Sequence, residues 1–364
     1  MKTHNPDTLL MILLAIFLIL GLFTLYNASS FKGETTFNDP LYYLKRQLLF
    51  LGVGIIGGII LYFIKLNFLK KYSLWIIILG FASMLLVFVP GLGIELNGAR
   101  RWIELGNFTI QPSEFFKLAL IIYLASFFSK NQAKINNFAN TILPFLIIII
   151  ISSGILILQS SLGVLVITVL IAFSILFTAG VSWKNLILIT VPVFILLLIF
   201  AIVEPYRFER IIAFRNPEQD IEGARYQVTQ SLIGIGSGGL RGVGLGNSKQ
   251  KYAFLPEAMN DTIFAIWAEE TGFMGVSILL ISIGLFIYQG FKIARLNREM
   301  FNKLLAGGIT FWIGFQFLFN IMVNLDLLPV SGIPLPFFSY GGSSLISCLW
   351  AYALLLNVSK YSKK

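Results

Sequence analysis

The sequence predicts an all-α, polytopic membrane protein with about ten transmembrane helices. Three observations carry this. The chain has 364 residues, of which 57% are hydrophobic and only 12% charged, and its mean hydropathy is +0.84. A soluble globular domain has no use for so much apolar surface. Apolar runs of roughly 20 residues, the length that crosses the hydrocarbon as a helix, recur from end to end. The lysines and arginines between those runs fall mostly on one side.

The runs lie near 8–27, 44–64, 73–90, 113–129, 141–157, 161–180, 185–203, 262–288, 304–325 and 338–358. The first lacks the short apolar core and small-residue cleavage site of a removable signal peptide, so it is expected to be retained. Placing the N-terminus in the cytoplasm puts Lys65, Lys70, Lys71, Lys130, Lys134, Lys184, Lys292, Arg295, Arg298, Lys303, Lys360, Lys363 and Lys364 on the cytoplasmic side. That is the positive-inside pattern, and it makes both termini cytoplasmic. The chain then reads as one integral membrane domain over 1–364, with 204–260 as a large extracellular loop. In the second span, Gly54 and Gly58 form a GxxxG, a close-packing patch.

Composition also narrows the chemistry. One cysteine, Cys348, leaves no internal disulfide and no cysteine-based zinc site. The one histidine, His4, lies in the N-terminal tail. Acid–base work therefore falls to carboxylates, lysine or tyrosine, and a metal would need oxygen ligands. The net charge of +10 reflects topology and does not point to nucleic acid. No GxxxxGK[ST] loop for nucleotide phosphates is present.

Several cations break the topology pattern. Lys45, Arg46, Arg100 and Arg101 sit on the outer side, and Arg207, Arg210, Arg215, Arg225, Arg241, Lys249 and Lys251 populate the long loop. They are either solvated charge balanced by Glu95, Glu104, Glu209, Glu218, Asp220 and Glu222, or a receptor for an anion such as a phosphorylated lipid headgroup. Gly234, Gly236 and Gly239 satisfy GxGxxG, but no βαβ context surrounds them, so a dinucleotide site is rejected. A glycine-rich segment there is either a re-entrant loop or a close approach to a headgroup.

The leading catalytic candidate is Asp261, in LPEAMNDTIFAI, where the polar loop gives way to an apolar helix. It is either a helix N-cap or an acid kept at the membrane rim for chemistry. Glu257 lies one helical turn earlier if the helix begins early, and a second carboxylate there could orient the site or hold a divalent ion. In QPSEFFK, Glu114 and Lys117 lie three residues apart on one helical face inside the membrane. They either neutralise each other and prop up a cavity, or Lys117 contacts substrate. Glu269 and Glu270, about two turns below Asp261, read as structural or cavity-lining. PLPFFSYGGSS, with Ser339 as a candidate contact, opens the last span with small and hydroxyl residues suited to a groove.

Six blocks in this order, NGARRWIELG, QPSEFFK, YQVTQSLIGIGSGG, GVGLGNSKQKYAFLPEAMND, FAIWAEETG and PLPFFSYGGSS, resemble the FtsW/RodA/SpoVE family of SEDS peptidoglycan glycosyltransferases over nearly the whole chain. GVGLGNS followed by LPEA looks more like the division-type FtsW and SpoVE branch than the RodA branch. The resemblance implies a ten-helix enzyme of the bacterial cytoplasmic membrane that polymerises lipid II on the outer face. Carried over by position, the essential acid falls on Asp261, the cation after the third span on Arg101, and the fourth-span pair on Glu114 and Lys117. The family commonly reads LPEAHTD, whereas this chain has Met259 and Asn260 in place of His and Thr.

The expected reaction is inverting transfer from an undecaprenyl-pyrophosphate-linked glycan to the GlcNAc 4-hydroxyl of lipid II, with Asp261 as general base. Arg101, Arg46, Arg100, Lys117, Glu114, Glu257 and Ser339 are the candidate substrate contacts. A Mg²⁺ or Mn²⁺, with Asp261 as a candidate ligand, could assist the departing diphosphate. The resemblance further implies a class B penicillin-binding protein transpeptidase as partner, among other divisome or elongasome membrane proteins. A lipid II flippase and a non-catalytic division scaffold are the competing readings.

Overall fold

In a computed structural model, the described residues are 4–96, 98–106, 108–203, 224–252 and 254–362, without the side chains of 96, 194–203 and 224. The expectations for Glu204, Arg207, Glu209, Arg210, Arg215, Glu218, Asp220 and Glu222 lie outside the described residues. The helices are α1 (Thr8–Phe37), α2 (Tyr42–Phe63), α3 (Leu66–Leu85), α4 (Pro112–Lys130), α5 (Leu143–Leu158), α6 (Leu162–Thr178) and α7 (Trp183–Val203). They continue with α8 (Ala224–Ser237), α9 (Ile263–Leu296), α10 (Met300–Asn324) and α11 (Gly342–Ser359). Among the described residues, 8 helices are long and apolar enough to cross a membrane, with shorter apolar helices at Leu162–Thr178 and Trp183–Val193. The chain is a multi-pass, all-α membrane protein.

Several helices outrun their expected limits for local reasons. α1 continues to Phe37 because its polar last turns are closed by Asn38, whose left-handed φ of 52° lets its N–H reach the Glu34 and Gly33 carbonyls. Just beyond it, Lys45 lies 2.8 Å from Asp39 and holds that carboxyl below its ordinary range. α3 starts at Leu66, earlier than its apolar run, with Lys70 and Lys71 inside its first turns. Their long aliphatic stems lie along an apolar helix while the ammonium groups reach water.

The centre of the bundle is α10. The apolar window of Met300–Asn324 is 83% buried and those of Pro112–Lys130 and Gly342–Ser359 78% each, against 17% for Tyr42–Phe63, so α4, α10 and α11 form the core and α2 turns its outer face to lipid. α10 packs on α9, α4 and α6, and α11 packs on α2. Between α10 and α11 the chain dips into the bundle, where Phe337 stacks on Phe17 with ring centroids 6.0 Å apart.

Two outer segments differ from expectation. Three strands, β1 (Gly93–Leu96), β2 (Ala99–Leu105) and β3 (Phe108–Ile110), form an antiparallel sheet in the order β1-β2-β3. Arg100 and Arg101 are therefore strand residues, not loop residues. The long segment also contains α8, so its YQVTQSLIGIGS is helical. After α8, the Gly-rich turn wedges into α9 at Gly272, whose φ of 63° breaks the helix. There the Phe273 and Met274 N–H groups donate to the Gly239 and Leu240 carbonyls at 2.9 and 3.1 Å, while the Val243 and Gly244 N–H groups donate to Glu269 and Glu270 at 3.0 and 3.2 Å. A Cβ at Gly272 would stand 2.3 Å from the Gly242 nitrogen, so only glycine fits.

Candidate active site

α9 begins at Ile263 with Thr262 in the N-cap position, so Asp261 stands just outside the helix. The helix does not start early, and Glu257 is not one helical turn before Asp261. Glu257 instead sits at a left-handed φ of 53° in a tight turn. There its carbonyl accepts the Asn260 N–H at 2.8 Å and its carboxylate accepts the Asn260 amide at 2.5 Å.

The turn carrying Asp261 is held by three successive carbonyls. The Met259 carbonyl accepts from the Tyr340 N–H at 2.8 Å. The Asn260 carbonyl accepts from the Ser339 hydroxyl at 2.6 Å. The Asp261 carbonyl accepts from the Asn320 and Asn324 amides at 2.8 and 3.0 Å. Ser339 Oγ also accepts the Leu335 N–H at 2.8 Å, and the Gln47 amide donates to the Ser339 carbonyl at 3.2 Å. Opposite the carboxylate, Gly332 has a φ of +69°, and a Cβ there would lie 3.6 Å from Asp261 Oδ2. The half-buried Asp261 is thus seated by α10 and by the loop leading into α11.

Glu114 and Lys117 form a buried ion pair at 2.9 Å, with side chains 3% and 1% exposed. Lys117 also donates to Gln316 Oε1 at 3.1 Å and lies 4.8 Å from the Trp312 ring centroid. The Gln316 amide then donates to the Pro334 carbonyl at 3.0 Å, and the Asn320 amide to the Ile333 carbonyl at 2.8 Å. Gln316, Asn320 and Asn324 occupy one stripe of α10 at spacing four. They connect the fourth-helix pair to the seat of Asp261.

The two arginines of β2 point to opposite faces, as strand alternation demands. Arg100 is exposed and pairs with Glu95 at 3.0 Å. Arg101 turns inward and donates from Nε to the Gln159 carbonyl at 3.1 Å and from its terminal nitrogen to the Ser160 carbonyl. Arg46 donates to the Tyr42 hydroxyl at 2.8 Å and lies over the Tyr42 and Phe108 rings at 5.5 and 5.2 Å. The Tyr43 and Tyr340 rings meet at 5.1 Å. Burial holds the Tyr340 hydroxyl above its ordinary range, and Arg46 partly offsets this.

Glu269 and Glu270 organise the glycine-rich turn. The Glu269 carboxylate accepts the Ser248 hydroxyl and the Lys249 N–H, the latter at 3.0 Å. Glu270 accepts the Asn27 amide at 2.8 Å. Both are buried.

Among the described residues, no group of three or more His, Cys, Asp or Glu side chains could hold a metal ion. Asp261 and Glu257 are the only carboxylates on this turn. A Mg²⁺ or Mn²⁺ here would take one or two of these carboxylates and complete its oxygen shell from a diphosphate, which is how Mg²⁺ commonly binds.

Residues 7–364 match the family model FtsW/RodA/SpoVE, described as cell cycle proteins. The chain belongs to this family. Stage V sporulation protein E of Bacillus subtilis is 39% identical over 365 residues, covering 100% of this chain and 99% of that one. A probable peptidoglycan glycosyltransferase FtsW of Coxiella burnetii is 37% identical over 348 residues, covering 94% and 93%. The rod shape determining protein RodA of Thermus thermophilus superposes with a TM-score of 0.71 at 28% identity, covering 98% of both chains. A chain from a peptidoglycan synthase complex, solved for its coordination of polymerization and crosslinking, gives 0.79 at 28% identity and 97% of both. Within this family member, Gln47, Gln316, Asn320 and Asn324 are the site residues that sequence reasoning missed. The signal for the last three is a row of amides at spacing four in an otherwise apolar helix, whereas Gln47 stands apart in α2.

Proposed function

We propose that this chain is a peptidoglycan glycosyltransferase that polymerises lipid II by inverting transfer, with Asp261 as general base. The FtsW and SpoVE relatives and the synthase-complex neighbour support the polymerase reading. The observation that carries the assignment of Asp261 is its seat, a carboxylate outside the helix on a main chain pinned at three successive carbonyls.

Asp261 removes the proton from the GlcNAc 4-hydroxyl of the acceptor lipid II as that oxygen attacks the anomeric carbon of the donor MurNAc. The bond from that carbon to the diphosphate breaks on the opposite face, and the α-linkage becomes a β-1,4 link. Undecaprenyl diphosphate departs with the electron pair. A diphosphate needs no general acid, so cations replace the second carboxyl that inverting glycosidases use. Arg46 and Arg101 face that role, and a divalent ion bound with the diphosphate would add charge neutralisation. Lys117 is too buried to touch sugar directly and serves through Gln316, with Glu114 as its ion-pair partner. Ser339 and Glu257 shape the turn. The positive-inside pattern supports cytoplasmic termini and a site on the outer face of the cytoplasmic membrane. The synthase-complex neighbour supports a class B penicillin-binding protein transpeptidase as partner.

The flippase reading draws on an intramembrane charged pair in a wet path. Burial of Glu114 and Lys117 at 3% and 1% exposure removes that support. The test is polymerisation of fluorescent lipid II by the purified protein in detergent, where there are no two sides to flip between. Wild-type protein should make glycan strands and Asp261→Asn should make none while remaining folded. Strand synthesis by Asp261→Asn at the wild-type rate would remove the carboxylate from the reaction, and no synthesis by wild type with its transpeptidase present would leave transport or scaffolding.

A further inference from the structure

We propose that Asn320 and Asn324 are positioning residues that set the direction of the Asp261 carboxylate by gripping its main chain; the inference rests on Asp261 being the general base. A carboxylate just outside a helix has no helical hydrogen bonds to orient its backbone. Here the donors come from another helix. Asn320 spends both amide hydrogens on carbonyls of the site, Asp261 at 2.8 Å and Ile333 at 2.8 Å. It therefore ties the base-bearing turn to the loop that carries Gly332, the neighbour of Asp261 Oδ2. Asn324 reinforces the same Asp261 carbonyl at 3.0 Å and braces Asn320, donating to its carbonyl at 2.9 Å and its Oδ1 at 3.2 Å.

Asn324 is satisfied on its donor side only. Asn324 is 2% exposed, and its own Oδ1 is buried without a hydrogen-bond partner. A buried polar atom left unpaired destabilises a fold. A leucine of similar shape would remove that unpaired oxygen, but it would also take away the donor to Asn320 Oδ1 and one of the two donors to the Asp261 carbonyl, so some stability is lost together with the grip on Asp261. The amide is explained by what its hydrogens deliver to Asp261. General-base transfer requires the acceptor hydroxyl within hydrogen-bond reach of the carboxylate, and a misplacement of about 1 Å costs on the order of 100-fold.

The experiment is steady-state polymerisation of fluorescent lipid II by purified full-length Asn324→Leu, with its melting temperature measured in the same detergent. The expected result is a kcat lowered by about tenfold or more and a KM within about twofold, with a melting temperature lowered only by the few degrees that lost buried hydrogen bonds imply. A purely structural role would lower the melting temperature and leave kcat of the folded protein at the wild-type value. Should Asn324→Leu not be recovered folded, Asn324→Ser, which keeps a shorter donor, is expected to show the same split more weakly. Wild-type kcat, or a loss confined to KM, in the folded variant would overturn the proposal. Asp261→Asn measured alongside keeps the two readings apart. If it is inactive while Asn324→Leu is normal, only the positioning role falls; if it is fully active, the general-base reading falls first.

Discussion

Gln316 stands between Lys117 and the loop that seats Asp261, accepting from the Lys117 ammonium at 3.1 Å and donating to the Pro334 carbonyl at 3.0 Å. The buried ion pair of α4 is therefore part of the same polar framework as the proposed base, although it is sealed from water. α10 is the common element, presenting Gln316, Asn320 and Asn324 in sequence along one side.

Breaking the pair and neutralising it should differ. Lys117→Met leaves Glu114 charged and buried, at a cost of about 3–5 kcal/mol. The double variant Glu114→Gln with Lys117→Met should recover most of that loss, read as the melting temperature in detergent. Lipid II polymerisation should stay low in both, because neither restores the donor to Gln316.

Gly332→Ala should impair synthesis more than stability. A side chain at φ of +69° costs roughly 1–2 kcal/mol. The new methyl would also lie in contact with the Asp261 carboxylate, 3.6 Å from its Oδ2. The measurement is strand synthesis at saturating lipid II beside thermal unfolding; equal losses in both would assign the residue to folding alone.

The two arginines of β2 give a paired test. Arg100→Gln removes an exposed ion pair with Glu95 and should shift stability by less than about 0.5 kcal/mol. Arg101→Lys keeps the charge but cannot reproduce a planar fork on two adjacent carbonyls. Its polymerisation rate should fall about tenfold or more, a loss that higher salt does not mimic.

Arg225 on α8 and Asp326 just after α10 pair at 2.6 Å, half-screened at 19% and 21% side-chain exposure. Asp326 has a φ of 58°, so Asp326→Gly relieves backbone strain while cutting the pair. Net stability should change by under about 1 kcal/mol. A fall in strand synthesis without a fall in melting temperature would show that α8 must stay docked for turnover.

The membrane class and most helix centres were legible in the sequence, because lipid demands long apolar runs and leaves few alternatives. The ends were not, since α1 is extended by a left-handed cap at Asn38 and α3 by lysine stems. The β1-β2-β3 sheet escaped notice although Asn97-Gly98 is a hairpin signature followed by alternating residues. The charges of Arg100 and Arg101 mask the strand alternation that puts them on opposite faces. Asp261 and the Glu114–Lys117 pair stood out as charges at a membrane rim or within it, where charge is costly. Asn320 and Asn324 did not, because an uncharged amide in an apolar helix declares its partner only when the helices are packed.

The interruption of α9 at Gly272 has a mechanical outcome. Four backbone hydrogen bonds there cross between the glycine-rich turn and the helix, each standing where an ordinary helical rung would be missing. Withdrawing the turn would strand those amides and carbonyls in hydrocarbon, at several kcal/mol apiece. The segment following α8 is therefore spliced into α9 like a grafted branch, and a pull on it from outside would be felt as torque on the very helix that carries Asp261 at its tip.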